Sequence, residues 1–400
     1  MTVRDEVWLI VLAAAPPALL ACGFVPWVAR GARRWGLLDH PSARKVHAVP
    51  KPLGGGLAIW ASLITCYGLG SLAVWWWSRG SVPSWLPSLL AVHLPGVLYQ
   101  LPRLWSVLGA ATLLVLLGWW DDARGVPWTW RLATQLIVAG GCVSLTPWRL
   151  TVFIESPPVT WLLSVLWIVA LINAFNMLDN MDGLSSGVAV IASFILGLGL
   201  LMLEEPGGGG PQLFVAGLLF SLSGAVAGFW WHNRYPSRLF MGDAGSYLIG
   251  FLIAVATMLA TYTTYDGSRR HAVIAPLVVM AVPFYDMVSV IAIRLREGRS
   301  PFHADKCHFS HRLVALGFHP ALAVGFIHLL TLATGLAALV LLRTDQLGAL
   351  LVLALVGAIV TLIGLLEWVA AGKRGDASPA EAGKVAEGRT AVQLDRPDGE

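Results

Sequence analysis

Eleven long apolar stretches dictate most of what this 400-residue chain can fold into. They run roughly Val7–Ala29, Leu53–Trp77, Leu104–Trp120, Leu132–Leu145, Thr160–Ile172, Leu184–Leu203, Leu213–Trp231, Tyr247–Thr263, Ala272–Ile293, Ala321–Leu342 and Leu347–Ala370. A helix crosses the hydrocarbon core of a bilayer with about 20 apolar residues. The stretches are continuous and lack the period-two alternation of an outer-membrane barrel, so helices are the spanning element. With 12% charged residues and a mean hydropathy of +0.70, a soluble domain is excluded. The expected fold is all-α, a polytopic membrane protein of about eleven transmembrane helices. Residues 1–370 form a single transmembrane catalytic domain, and the Gly-, Ala- and charge-rich residues 371–400 a disordered cytoplasmic tail. The Pro- and Trp-rich segment from Ser78 to Arg103 is too broken for a span and is expected in the membrane interface.

Twenty of the 27 Lys and Arg residues fall in odd-numbered loops and the tail. That bias predicts an outward N-terminus and a cytoplasmic C-terminus. The net charge of +4 follows from this topology and implies no nucleic-acid partner. Cys22, Cys66 and Cys142 lie in apolar stretches and Cys307 in the ninth loop, so no disulfide framework is implied. The first stretch reads as a retained helix rather than a signal peptide, since Asp5 and Glu6 offset Arg4.

Polar clusters gather in the same odd-numbered loops. The fifth reads NAFNMLDNMDGL from Asn173 to Leu184. Asn173, Asn176, Asp179 and Asp182 stand three residues apart, near one face of a helix, and can converge on one polar ligand. Asp121 and Asp122 end the third stretch, adjacent carboxylates that repel unless a cation lies near them. They could also cap the next segment or pair with Arg124 and Arg131. Asp243 stands among small residues before an apolar helix, either as an N-cap or where a diphosphate and metal approach the helix N-terminus. The first loop offers Arg44, Lys45, His47 and Lys51 beside Gly54–Gly56, whose backbone could approach a phosphate. Asp286 is an acid inside the ninth stretch, a functional candidate or an interior structural partner. His303, Cys307, His308 and His311 invite a zinc reading, but with Asp305, Lys306 and Arg312 interleaved they fit anion binding better. Hard oxygen groups of this kind suit Mg²⁺ or Mn²⁺ bridging a substrate phosphate. The clusters converge on one membrane face, which points to metal-assisted phosphoryl transfer between a membrane lipid and a cytosolic substrate.

These motifs, in this order from about Leu37 to Phe318, resemble the polyprenyl-phosphate N-acetylhexosamine-1-phosphate transferase family. The resemblance implies transfer of a sugar 1-phosphate from a UDP-N-acetylhexosamine to undecaprenyl phosphate, releasing UMP and requiring Mg²⁺. It implies catalytic roles for Asp121, Asp122, Asp179, Asp182 and His308, and a metal on Asp243 and Asn176. Lys45, Asn173, Asn176, Phe240, Arg131, His311 and Arg312 are the implied substrate-binding residues, Phe240 stacking on uracil. The implied location is the bacterial inner membrane, with the site on its cytoplasmic face, and a homodimer is compatible with it. Asn180 stands where the family usually has Gly, Ser310 where it has a middle His, and Arg131 where Lys is common. His308-Phe309-Ser310-His311-Arg312 differs from the three consecutive histidines of phospho-MurNAc-pentapeptide transferases, which favours UDP-GlcNAc, with UDP-GalNAc as the close alternative. A secondary transporter would place its charges near mid-membrane on broken helices. A CDP-alcohol phosphotransferase would need an Asp-Gly-x-x-Ala-Arg pattern, and Asp182-Gly183 runs on differently.

The topology is tested with a reporter active only in the cytoplasm. It should work fused after Ala370 and fail within Glu204–Pro211; the reverse pattern would contradict the assignment.

Overall fold

The computed structural model describes residues 3–41, 49–80, 82–84, 91–146, 149–150, 154–203, 212–260, 262, 270–302 and 305–375. The chain divides into two units, Met1–Leu353 and Ala354–Glu400. In order, the elements are α1 (Val3–Trp35), β1 (Leu38–Asp39), β2 (Lys51–Pro52), α2 (Gly55–Arg79), α3 (Leu94–Arg124), α4 (Trp128–Leu145), α5 (Pro157–Leu178) and α6 (Leu184–Met202). There follow α7 (Leu213–Asn233), α8 (Asp243–Leu259), a 3-10 turn (Arg270–Ile274), α9 (Ala275–Val279), α10 (Ala281–Arg296), α11 (Phe309–Ala315), α12 (Pro320–Leu341) and α13 (Gln346–Gly375).

All eleven apolar stretches are helical, and the protein is an all-α polytopic membrane protein. Among the described residues, eight helices are long and apolar enough to cross a membrane, or nine if the bent pair around Met280 forms one span. Helix α8 is shorter, at 17 residues. Three boundaries differ from the sequence expectation. Helix α3 begins at Leu94, inside the segment assigned to the interface, because Pro95 sits in its first turn where a missing N–H costs nothing. Helix α5 continues through Asn173 and Asn176 to Leu178, so the polar motif starts on a helix and leaves it at Asp179. The ninth stretch is broken by 66° between Val279 and Ala281. Pro283 cannot donate the backbone bond that would carry α9 into α10.

The core of the first unit is α8. Every residue from Ala244 to Met258 is buried, so this helix is apolar all round. It lies against α2, α3 and α5. Helices in lipid associate through close packing rather than hydrophobic exclusion, and small residues let their backbones approach. A Cβ on Gly56 would lie 2.1 Å from the Gly245 nitrogen, and one on Gly118 2.4 Å from the Ala244 nitrogen. The Gly55 and Gly56 N–H groups donate to the carbonyls of Phe240 and Met241, each at 2.9 Å. Gly55 and Gly56 therefore approach protein backbone, which corrects the expectation that this glycine run approaches a phosphate.

A methyl at Gly56 meets backbone that cannot rotate away, and overpacking of this kind costs about 1–3 kcal/mol. Gly56→Ala should lower the thermal midpoint in detergent by several degrees. Gly68→Ala, on the same helix with no neighbouring atom within 4 Å of an added Cβ, should not.

Candidate active site

The odd-numbered connections of the first unit meet around one cavity of about 1070 Å³. The first contributes through the two-residue pairing of β1 with β2, antiparallel with Asp39 opposite Lys51, which puts Lys51 on the wall. Lys51 Nζ donates to Ser237 Oγ at 2.8 Å and Asp182 Oδ2 at 3.2 Å, and stands 5.1 Å from the Phe240 ring centroid. The Phe240 N–H donates to the Pro52 carbonyl at 2.9 Å, so the seventh connection is tied to the first.

Helix α8 enters the cavity with its N-terminus. Its cap residue Gly242 has φ 75°, and a Cβ there would collide with the Asp122 carboxylate. Asp122, from the end of α3, accepts the Asp243 N–H at 2.9 Å and the Ala244 N–H at 3.4 Å. It thus supplies from another helix the acceptor and negative charge that a helix N-terminus prefers. Asp121 turns away. It accepts the Val126 N–H at 2.7 Å and pairs with Arg131 at 2.8 Å, closing the turn into α4. Arg131 reaches the Asp243 carboxylate at 3.5 Å.

The fifth connection forms the cavity floor. Asn176 Nδ2 donates to Asp243 Oδ1 at 2.7 Å and Ser246 Oγ at 3.1 Å. Asn173 Nδ2 donates to Gln135 Oε1 at 2.7 Å. Asp179 is the C-cap of α5, and Gly183, at φ 73°, restarts the chain as α6. Burial, together with the charges of Asp243 and Asp182, pushes the Asp179 carboxyl up to about 8. Such a group signals negative charge short of compensation.

The ninth connection covers the opposite wall. His308 Nδ1 pairs with Asp286 Oδ2 at 2.9 Å, and the ring centroids of His308 and His311 are 6.3 Å apart. Burial, then the neighbouring His308 and Lys306, lower His311 to about 4, so its imidazole is neutral at physiological pH. Burial would raise Asp305, but hydrogen bonds from Arg294 and the Cys307 N–H, with the Arg294 and Arg299 charges, hold it well below the usual carboxylate range. Phe302 stacks on Trp128 of α4 at 4.0 Å. An apolar wall of Leu166, Val169, Ala170, Met287 and Ile291 runs beside the polar groups.

Of the residues singled out from sequence, Asp122, Arg131, Asn173, Asn176, Asp179, Asp182, Phe240, Asp243, His308 and His311 line this one cavity. Asp121 and Arg312 do not. Asp121 is taken up by Arg131 and the turn, while Arg312 donates to the Cys307 carbonyl and Ser289 Oγ behind the wall. Lys45 and His303 lie outside the described residues. Lys51, offered above beside Lys45 in the first loop, is the lysine on the wall; its position opposite Asp39 is decided by strand pairing. Asp286, a functional candidate or structural partner by sequence, meets His308, and Gln135, which no motif marks, meets Asn173. Two of the three departures from the family pattern touch each other: Ser310 Oγ donates to Asn180 Oδ1.

Among the described residues, no three His, Cys, Asp or Glu side chains are grouped to hold a metal ion. The half-open Asp243 and Asp179 instead fit a hard divalent ion that keeps several waters and takes one or two carboxylates. Asn176 directs its amide N–H at Asp243 and so orients that carboxylate on that side.

A helical membrane protein with an acidic, cation-fringed cavity beside an apolar wall is the class that fold and site define. Residues 104–261 match the model of Glycosyl transferase family 4. Decaprenyl-phosphate N-acetylglucosaminephosphotransferase of Mycolicibacterium smegmatis is 31% identical over 90% of this chain and 89% of the relative. The probable undecaprenyl-phosphate N-acetylglucosaminyl 1-phosphate transferase of Bacillus subtilis is 27% identical over 83% of this chain and 85% of its own. Undecaprenyl-phosphate alpha-N-acetylglucosaminyl 1-phosphate transferase of Escherichia coli is 28% identical over 79% and 78%. The chain belongs to glycosyl transferase family 4.

Removing the Asp122 carboxylate leaves two N–H groups of α8 without their acceptor, at a cost of about 1–3 kcal/mol. Asp122→Ala should lower the thermal midpoint in detergent by several degrees. Asp122→Asn, which keeps a carbonyl oxygen, should lower it less.

Proposed function

We propose that the protein transfers N-acetylglucosamine 1-phosphate from UDP-GlcNAc to undecaprenyl phosphate, releasing UMP, at the cytoplasmic face of a bacterial inner membrane. The observation that carries this reading is one cavity in which carboxylates, amides and cations adjoin an apolar wall. A water-soluble nucleotide sugar and a lipid phosphate can meet in such a place. The names of the relatives give the same acceptor class and the same sugar. The orientation, with the N-terminus outside, is supported by the distribution of basic residues.

An oxygen of the acceptor phosphate attacks the sugar-bearing phosphorus of the donor, and the bond to the UMP oxygen breaks. The second pKa of a phosphate monoester is about 6, so the acceptor is mostly dianionic at neutral pH and needs no strong base. Lys51 and Phe240 form the side suited to the nucleotide, the lysine offering charge and the ring a stacking surface. Arg131, fixed between Asp121 and Asp243, faces the developing phosphate charge. His311 meets the diphosphate as a neutral hydrogen-bonding ring, and His308 lies beside it. Mg²⁺ or Mn²⁺ held by Asp243 and Asp179 would neutralise the diphosphate and the departing UMP. Asn176 and Asp122 keep Asp243 aimed at that position.

Purified protein with undecaprenyl phosphate should release UMP from UDP-GlcNAc and yield a lipid diphosphate of matching mass. UDP-GalNAc and UDP-MurNAc-pentapeptide are run beside it. Product from the muramoyl donor alone would overturn the sugar assignment. Asp243→Asn should reduce turnover by about 10²-fold or more and raise the Mg²⁺ concentration needed for half-activity. Normal turnover with normal metal dependence would remove Asp243 from the site.

A further inference from the structure

We propose that Asp286 is a positioning residue that holds the His308 ring in one tautomer and one orientation toward the cavity. The inference rests on His308 belonging to the reaction proposed above. Asp286 is fully buried in α10, within an apolar stretch where an isolated carboxylate is costly. Both of its oxygens are engaged by the same segment. Oδ2 meets His308 Nδ1 at 2.9 Å, and Oδ1 accepts the Phe309 N–H at 2.6 Å. His308 is the cap residue of α11, with φ −65° and ψ 149°. One carboxylate therefore holds both the ring and the backbone that carries it.

On this proposal Asp286 acts as a carboxylate, whose oxygens only accept, and Nδ1 bears the proton. Nε2 is then the ring nitrogen left for the cavity that His308 lines. The frame around this pair is stiff. Ser289, one turn beyond Asp286, accepts from Arg312, and Arg294, on the same face of α10, binds Asp305 through two nitrogens at 3.1 Å. Three points on one helix face thus strap the histidine segment down. For merely joining two segments, an apolar contact would serve at less desolvation cost. What a buried carboxylate adds is control of a proton on the ring.

Asp286→Asn keeps an oxygen for the Phe309 N–H but can turn an amide N–H toward Nδ1, which favours the opposite tautomer. The expected result is a fall in kcat of about 10²-fold or more, with KM for UDP-GlcNAc little changed. In a His308→Gln background the same substitution should cost nothing further, because the two residues act as one unit. Losses that multiply in the double variant would overturn the proposal and leave Asp286 a support of the fold. A measurement on the unaltered sequence covers the case in which the Asn variant does not fold. Nitrogen-15 spectra of histidine-labelled protein, with His308 identified by its loss in His308→Gln, should show a protonated Nδ1; an unprotonated Nδ1 overturns the proposal. If His308→Gln reduces turnover while Asp286→Asn does not, the proposal falls and the reaction stands. If no UDP-sugar supports transfer, the reaction falls, while the Nδ1 state still reports whether Asp286 holds the ring.

Discussion

The site depends on how the N-terminus of α8 is held. This helix is buried along its length, so its first N–H groups point into protein where water cannot satisfy them. Asp122 accepts two of them from α3, and Gly55 and Gly56 of α2 bind the two carbonyls just before Gly242. The grip works only at backbone contact distance, which is why Gly56, Gly118 and Gly245 meet there without side chains. Asp243 is thereby fixed at the start of a rigid helix in the middle of the molecule.

A second constraint is charge. Asp122, Asp179, Asp182 and Asp243 share the floor of one cavity, with Lys51 and Arg131 the cations nearest them in the described contacts. Burial, with the charges of Asp243 and Asp182 added to it, raises the Asp179 carboxyl. Under the proposed function, a divalent cation brought with the phosphates would offset the repulsion that the anion alone would add. On the facing wall the charges are instead neutralised internally, Asp305 by Arg294 and Arg299, and the buried Asp286 is paired with His308. Under the proposed function, the acidic wall would hold the metal–diphosphate and the facing wall would offer it fixed hydrogen-bonding groups.

The ninth connection shows how packing settles what spacing leaves open. Its histidines are consistent in sequence with a metal, an anion or neither. Their roles became distinct once α10 carried Asp286, Ser289 and Arg294 to one face and pinned the segment at three places. The contact between Ser310 and Asn180 likewise ties this segment to the turn after α5, joining two positions that look unrelated along the chain.

The eleven apolar stretches alone determined that the chain is helical and membrane-embedded, because lipid leaves an uninterrupted apolar segment no other way to satisfy its backbone. The regular placement of Asn173, Asn176, Asp179, Asp182 and Asp243 at the ends of those stretches also marked most of the cavity in advance. Tertiary structure alone decided which neighbours serve chemistry and which serve architecture. Asp121 and Asp122 are adjacent yet serve differently, since successive residues on a helix point about 100° apart: Asp121 meets Arg131 and the Tyr247 hydroxyl, while Asp122 takes the first backbone N–H groups of α8. Lys51 reached the wall through strand pairing, Gly55 and Gly56 turned to backbone rather than phosphate, and Asp286 found its partner 22 residues away. Each outcome depends on distances between segments that no local pattern encodes.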